Sequence, residues 1–136
     1  MTHNLNHHEA LIYVMVMTSA ADRVMSDKEI ARIGRLTGFL PVFAKFDQDE
    51  LIHISRECAA LVAGPEGLDI ALEIIREALP ERLYDTAYAL AVEIVSADLS
   101  IKPEEIRMLQ LLRDRLALDK LTCAAIERSA MARYRA

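Results

Sequence analysis

Apolar residues recur along the chain at helical spacing, and the pattern divides into seven segments. The first, from His8 to about Ala21, contains Ala10 to Met17, apolar on every face, which predicts a helix enclosed by others. The second starts at Ser26, where Glu29 three residues on completes a capping box. Its stripe is Ile30, Ile33, Leu36 and Leu40, and Gly38 and Pro41 bring it to an end. Asp47 with Glu50 predicts the cap of a third helix, whose stripe is Leu51, Ile54, Cys58, Leu61 and Val62. The turn Gly64-Pro65-Glu66-Gly67 closes it. A fourth helix over about 67–78 turns Leu68, Leu72, Ile75 and Leu79 inward. Pro80 stands where the next helix begins, a position that tolerates its missing N–H. The fifth runs to about Ala97 and is again apolar nearly all round, broken only by Glu93 between Ala87 and Val95. The sixth opens at Pro103 and carries Ile106, Leu109, Leu112 and Leu116. The last follows Asp119 as N-cap and presents Leu121, Ala125, Ile126 and Met131. Residues 1–7 are polar and expected to fray. The reading is one all-α domain over 1–136, a compact bundle of about seven helices with short loops.

Two stretches match at a single offset. Ala21-Asp22 corresponds to Ala97-Asp98 and Glu29-Ile30 to Glu105-Ile106; 98 − 22 and 105 − 29 are both 76. Extending the comparison pairs Glu9 with Asp85, Met25 with Ile101, Ile33 with Leu109, Leu36 with Leu112 and Leu40 with Leu116. Each unit, about 8–40 and 84–116, is an apolar helix, a loop beginning with Asp, and an amphipathic helix with Glu in its first turn. Two copies at this length do not make a solenoid. They suggest two helical hairpins related by an approximate two-fold axis, with the first and fifth helices at the centre.

Composition narrows the function classes. A hydrophobic fraction of 53% beside 27% charged residues describes a globular chain, and a net charge of −5 argues against nucleic-acid binding, which draws on phosphate attraction. Arg128, Arg133 and Arg135 read as cations favoured at a helix C-terminus. Cys58 and Cys123 have no zinc or redox spacing and lie in apolar stretches, so they read as buried reduced thiols. The first residues lack a signal-peptide pattern and the longest apolar run falls far short of a bilayer span, so a cytoplasmic, soluble protein is expected.

The repeated acids are the sharpest chemical feature. Asp at a helix end and Glu at the third helical position are what capping and the helix dipole select. The same residues, Asp22, Glu29, Asp98 and Glu105, are also the oxygen donors that a hard divalent cation such as Ca²⁺, Mg²⁺ or Mn²⁺ prefers. The loop is not an EF-hand. Counted from Asp22, the sixth position is Asp27 where Gly is needed, and the twelfth is Ile33 where a bidentate Glu is needed. Glu50 and His53 form one Glu-x-x-His unit of the kind used twice in di-iron bundles, which leaves a metal-dependent enzyme around them as a remote alternative. His3, His7 and His8 lie in the polar terminus. Cys58 and His53, five apart on a helix, diverge. No nucleophile elbow, P-loop or dinucleotide fingerprint is present, so no catalytic residue is nominated.

The doubled pattern Ala-Asp-x-x-Met-Ser-Asp-Lys-Glu-Ile and Ala-Asp-x-x-Ile-Lys-Pro-Glu-Glu-Ile, each after an apolar helix, resembles the TerB-like family of tellurite-resistance proteins over roughly residues 8–132. The resemblance implies an all-α fold of about seven helices with pseudo-two-fold symmetry. It implies divalent metal at Asp22, Glu29, Asp98 and Glu105, and a non-enzymatic role in bacterial stress and tellurite resistance. Protein partners, often at the inner face of the membrane, belong to the same expectation. Family members often carry Gly directly after the loop Asp, where this chain has Arg23 and Leu99, so a tight ligand-wrapping turn is harder to form. The functional expectation is a metal-responsive stress protein with protein partners. Its alternative is an interaction domain in which the acids act as caps. A homodimer is compatible with either.

Overall fold

The computed structural model describes residues 4–19, 25–97 and 101–136. Among them are seven α-helices and no strand: α1 (His7–Ser19), α2 (Asp27–Phe39), α3 (Leu51–Ala63), α4 (Gly67–Ala78), α5 (Tyr84–Ala97), α6 (Pro103–Arg115) and α7 (Lys120–Arg133). The 3-10 turns Pro41–Phe43 and Gln48–Glu50 join α2 to α3, and Glu81–Leu83 leads into α5. No helix among the described residues is long and apolar enough to cross a membrane.

The two helices that are apolar all round form the centre. Every residue of α1 from Ala10 to Ser19 is buried. α1 packs on α3, α5, α4 and α6, so it has no face left for water, and α5 takes α7 on its other side. Each large side chain withdrawn in this way contributes roughly 1.5–3 kcal/mol before ordering costs are counted. The amphipathic helices close the bundle around them. α2 and α6 begin and end 76 positions apart, and α3 lies on α1 as α7 lies on α5. The two sets differ otherwise. α4 stands alone in the order, α6 reaches α1 and α4 as well as α5, and α2 packs chiefly on α1 and the two turns that follow it.

Several local features depart from the sequence expectation. The terminus is held from Leu5 onward, where Leu5 packs on the core and Asn6 and Glu9 cap α1 reciprocally. The Asn6 side chain accepts from the Glu9 N–H at 2.8 Å, and Glu9 accepts from the Asn6 N–H at 3.0 Å. Asp47 caps the 3-10 turn by accepting from the Asp49 N–H at 3.0 Å, and Glu50 falls at the end of that turn rather than in a box. In α6, Glu105 faces inward with Met108, Leu109 and Leu112, while Ile106 is exposed. In α7 the inward positions are Cys123, Ile126 and Ala130, and Leu121 and Met131 face out.

Candidate functional site

Of the four acids singled out by the repeat, Asp22 and Asp98 lie outside the described residues. The other two are helix caps. The Ser26 N–H donates to Glu29 Oε1 at 2.8 Å, and the Glu29 N–H donates back to Ser26 Oγ at 3.2 Å, which completes the expected box. At the start of α6, the Lys102 N–H donates to Glu105 Oε1, also at 2.8 Å. Lysine offers no side-chain acceptor, so the Glu105 N–H turns to the Lys102 carbonyl at 3.0 Å instead. The depth of the two carboxylates also differs. Glu29 is half-buried, whereas Glu105 is only 7% exposed.

Both carboxylates therefore commit one oxygen to a backbone N–H, which is what capping requires. Among the described residues no three His, Cys, Asp or Glu side chains are grouped to hold a metal ion. A cation at this set would need carboxylate oxygens beyond those the caps use, and Asp22 and Asp98 lie outside the described residues. One further polar atom is Ser19 Oγ, at the end of α1, which is buried and has no hydrogen-bond partner among the described residues.

The remaining sequence candidates separate in space. His53 is exposed and lies 3.0 Å from Glu57, so its partner is one turn on rather than Glu50. Cys58 on the same helix is fully buried, and burial pushes its thiol up to about 12. Cys123 is buried as well, and its thiol is also raised, first by burial. His8 does not hang free: its Nε2 donates to the Val42 carbonyl at 2.9 Å, and its ring packs beside Phe43 and Phe46. His7 lies against His8, and burial followed by that neighbour lowers its pKa.

Two arrangements had no counterpart in the sequence reading. In the first, the fully buried Tyr88 of α5 donates its hydroxyl to Glu127 of α7 at 2.5 Å, and Arg113 of α6 reaches the same carboxylate oxygen at 3.3 Å. This ties three helices together through one oxygen, and burial followed by that bond raises the tyrosine pKa.

In the second, α2, the end of α5 and the end of α7 enclose an open groove of about 760 Å³. Arg32, Arg35, Leu36 and Phe39 form one wall, and Glu93 and Tyr134 stand opposite. Phe39 is 69% exposed. Arg32 and Arg35 make no ion pair or side-chain hydrogen bond among the described residues, although Arg32 is half-buried. Glu93 is already satisfied: one oxygen takes Arg133 at 2.6 Å and the other accepts from the Tyr134 hydroxyl. That bond is the main reason the Tyr134 pKa is raised.

Comparison of the chain with protein-family models, with curated proteins and with solved structures finds no match in any of the three. The site must therefore be read from its own chemistry. The groove was hidden in the sequence because its walls come from residues 32–39, 93–97 and 134. The one available signal was Phe39, a large aromatic outside the apolar stripe of its own helix.

Proposed function

We propose that this chain is a non-catalytic helical interaction module that holds a protein partner in the groove between α2, α5 and the end of α7. The observation that carries the reading is Phe39, a large aromatic mostly open to water at the lip of a groove with an apolar and arginine-bearing wall. Aromatic residues and arginine are the side chains most often found to anchor protein interfaces. The caps at Glu29 and Glu105 account for two of the four repeated acids without a ligand.

Tagged wild-type chain and a Phe39→Asp variant, each recovered after mild cross-linking in cells of the native source, test this. The expected outcome is a defined partner that the wild type retains and the variant loses, with unchanged helical circular dichroism. An identical partner set for both chains would count against the groove.

A second reading is a metal-responsive stress protein of tellurite-resistance type in the cytoplasm, with partners at a membrane complex. In it Asp22, Glu29, Asp98 and Glu105 bind a divalent cation. The resemblance to the TerB-like family supports it, as do the depth of Glu105 and the Ser19 hydroxyl, which has no partner among the described residues, since buried polar groups ordinarily have partners. Calorimetric titration of chelator-stripped protein with Ca²⁺, Mg²⁺ and Mn²⁺, beside an Asp22→Ala/Asp98→Ala variant, decides it. Saturable heat lost in the variant supports the cation; no heat in either folded protein removes it.

A further inference from the structure

We propose that the groove takes an acidic peptide segment bearing a bulky apolar residue, supplied by a separate protein; this rests on the interaction-module reading. Its volume of about 760 Å³ suits a few side chains rather than a whole domain face. The chemistry of the walls then selects which side chains. Leu36 and Phe39 supply apolar surface for one large anchor. Beside them Arg32 and Arg35, three apart on α2, stand on one flank of the helix.

A guanidinium presents a planar fork that matches a carboxylate in two parallel hydrogen bonds, and neither fork is engaged by another described residue. Among the described residues the only acid in the groove wall, Glu93, is neutralised by Arg133 and hydrogen-bonded by Tyr134. The result is a local positive site on a chain of net charge −5.

That contrast also excludes other occupants. A long polyanion such as nucleic acid, or an anionic membrane, meets repulsion from the rest of the molecule, whereas a short acidic segment meets only the arginines. A small dicarboxylate leaves Phe39 exposed and so makes no use of the apolar wall.

The test pans a phage-displayed library of random short peptides on the full chain and on an Arg32→Glu/Arg35→Glu variant. Circular dichroism checks the fold, and an Arg32→Gln/Arg35→Gln variant serves if charge reversal unfolds the protein. The expected result is enrichment, on the wild type alone, of peptides in which Asp or Glu flanks Phe or Leu. A synthetic copy of the leading peptide should bind the variant about tenfold or more weakly, and should weaken as salt rises.

Enrichment without acidic bias, or indifferent to the arginines, overturns the acidic class. The interaction-module reading would then stand or fall on the Phe39→Asp experiment alone. Enrichment of sequences like Pro103-Glu104-Glu105-Ile106 gives the groove to a second copy of this chain and overturns a separate partner. No enrichment on either protein overturns the proposal outright.

Discussion

Glu29 and Glu105 hold the same position in their helices, yet their neighbours differ, and the difference sets what each substitution costs. Ser26 and Glu29 satisfy two backbone donors reciprocally, so Ser26→Ala should lower stability by about 1 kcal/mol, read from urea unfolding. An unchanged midpoint would show that α2 starts without its cap. Tyr88 is a heavier case. Its hydroxyl donates to a carboxylate that Arg113 also reaches, and hydrogen bonds to charged groups are worth roughly 1.5–3 kcal/mol. Tyr88→Phe should lose about that much, and a loss shared with Glu127→Gln in a double-mutant cycle would locate it in this bond.

The buried thiol and phenol give a pH signature. Cys58 rises from 9.0 to about 12 through burial, and Tyr13 from 10.0 to about 12 through burial and then its neighbour Cys58. Both groups are neutral when protonated, so the unfolded chain loses these protons first as pH rises. The folded state then binds more protons and stability falls with pH. The contribution of these groups is complete below pH 9 and is lost between about pH 9 and 12. Urea midpoints should therefore decline over that window, and less steeply in Cys58→Ala. Parallel declines would remove Cys58 from the account.

At the scale of elements, the turn between α3 and α4 is a constrained joint. Glu66 sits at φ 53°, the left-handed region that favours glycine. Gly67 follows with an ordinary φ, but a Cβ there would meet the Leu61 carbonyl oxygen at 2.1 Å and the Val62 carbonyl oxygen at 2.6 Å. Close backbone approach, not backbone conformation, is what requires glycine at 67. Glu66→Gly should stabilise by about 1 kcal/mol, and Gly67→Ala should destabilise by roughly 1–3 kcal/mol, both measured by thermal and urea unfolding. The opposite pair of signs would contradict the packing of α3 on α4.

The elements themselves were legible where contrast along the chain was high. α1 and α5 are apolar on all sides and could only be central, and Ser26-x-x-Glu29 announced the start of α2. The face of α7 was misread because Ala, Ser and Thr separate its larger residues, so the period is weakly marked. Cys123, Ile126 and Ala130 go inward, and Leu121 is left 80% exposed. In α6 a buried position fell to Glu105, a charged residue whose carboxylate takes the Lys102 N–H there, a contact that hydropathy does not count.

At the scale of the molecule, α2 and α6 have matched bounds, and α3 lies on α1 as α7 lies on α5, yet the surroundings of α2 and α6 differ. The difference between the halves bears more directly on function. α6 is drawn in against α1, α4 and α5, whereas α2 packs chiefly on α1 and its following turns, and its outer flank becomes the wall of the groove. Arg32 and Arg35 carry no motif in the sequence; only the approach of Glu93 and Tyr134 makes them part of a site.

A photo-cross-linking residue placed at position 39, with the same residue at exposed Ile52 of α3 as a hydrophobicity-matched control, reports directly on that site in living cells. The account predicts a discrete protein adduct from position 39 that Arg32→Glu/Arg35→Glu weakens, and none of that mass from position 52. Equal adducts from both positions, or none from position 39 in well-folded protein, would contradict a partner held in the groove.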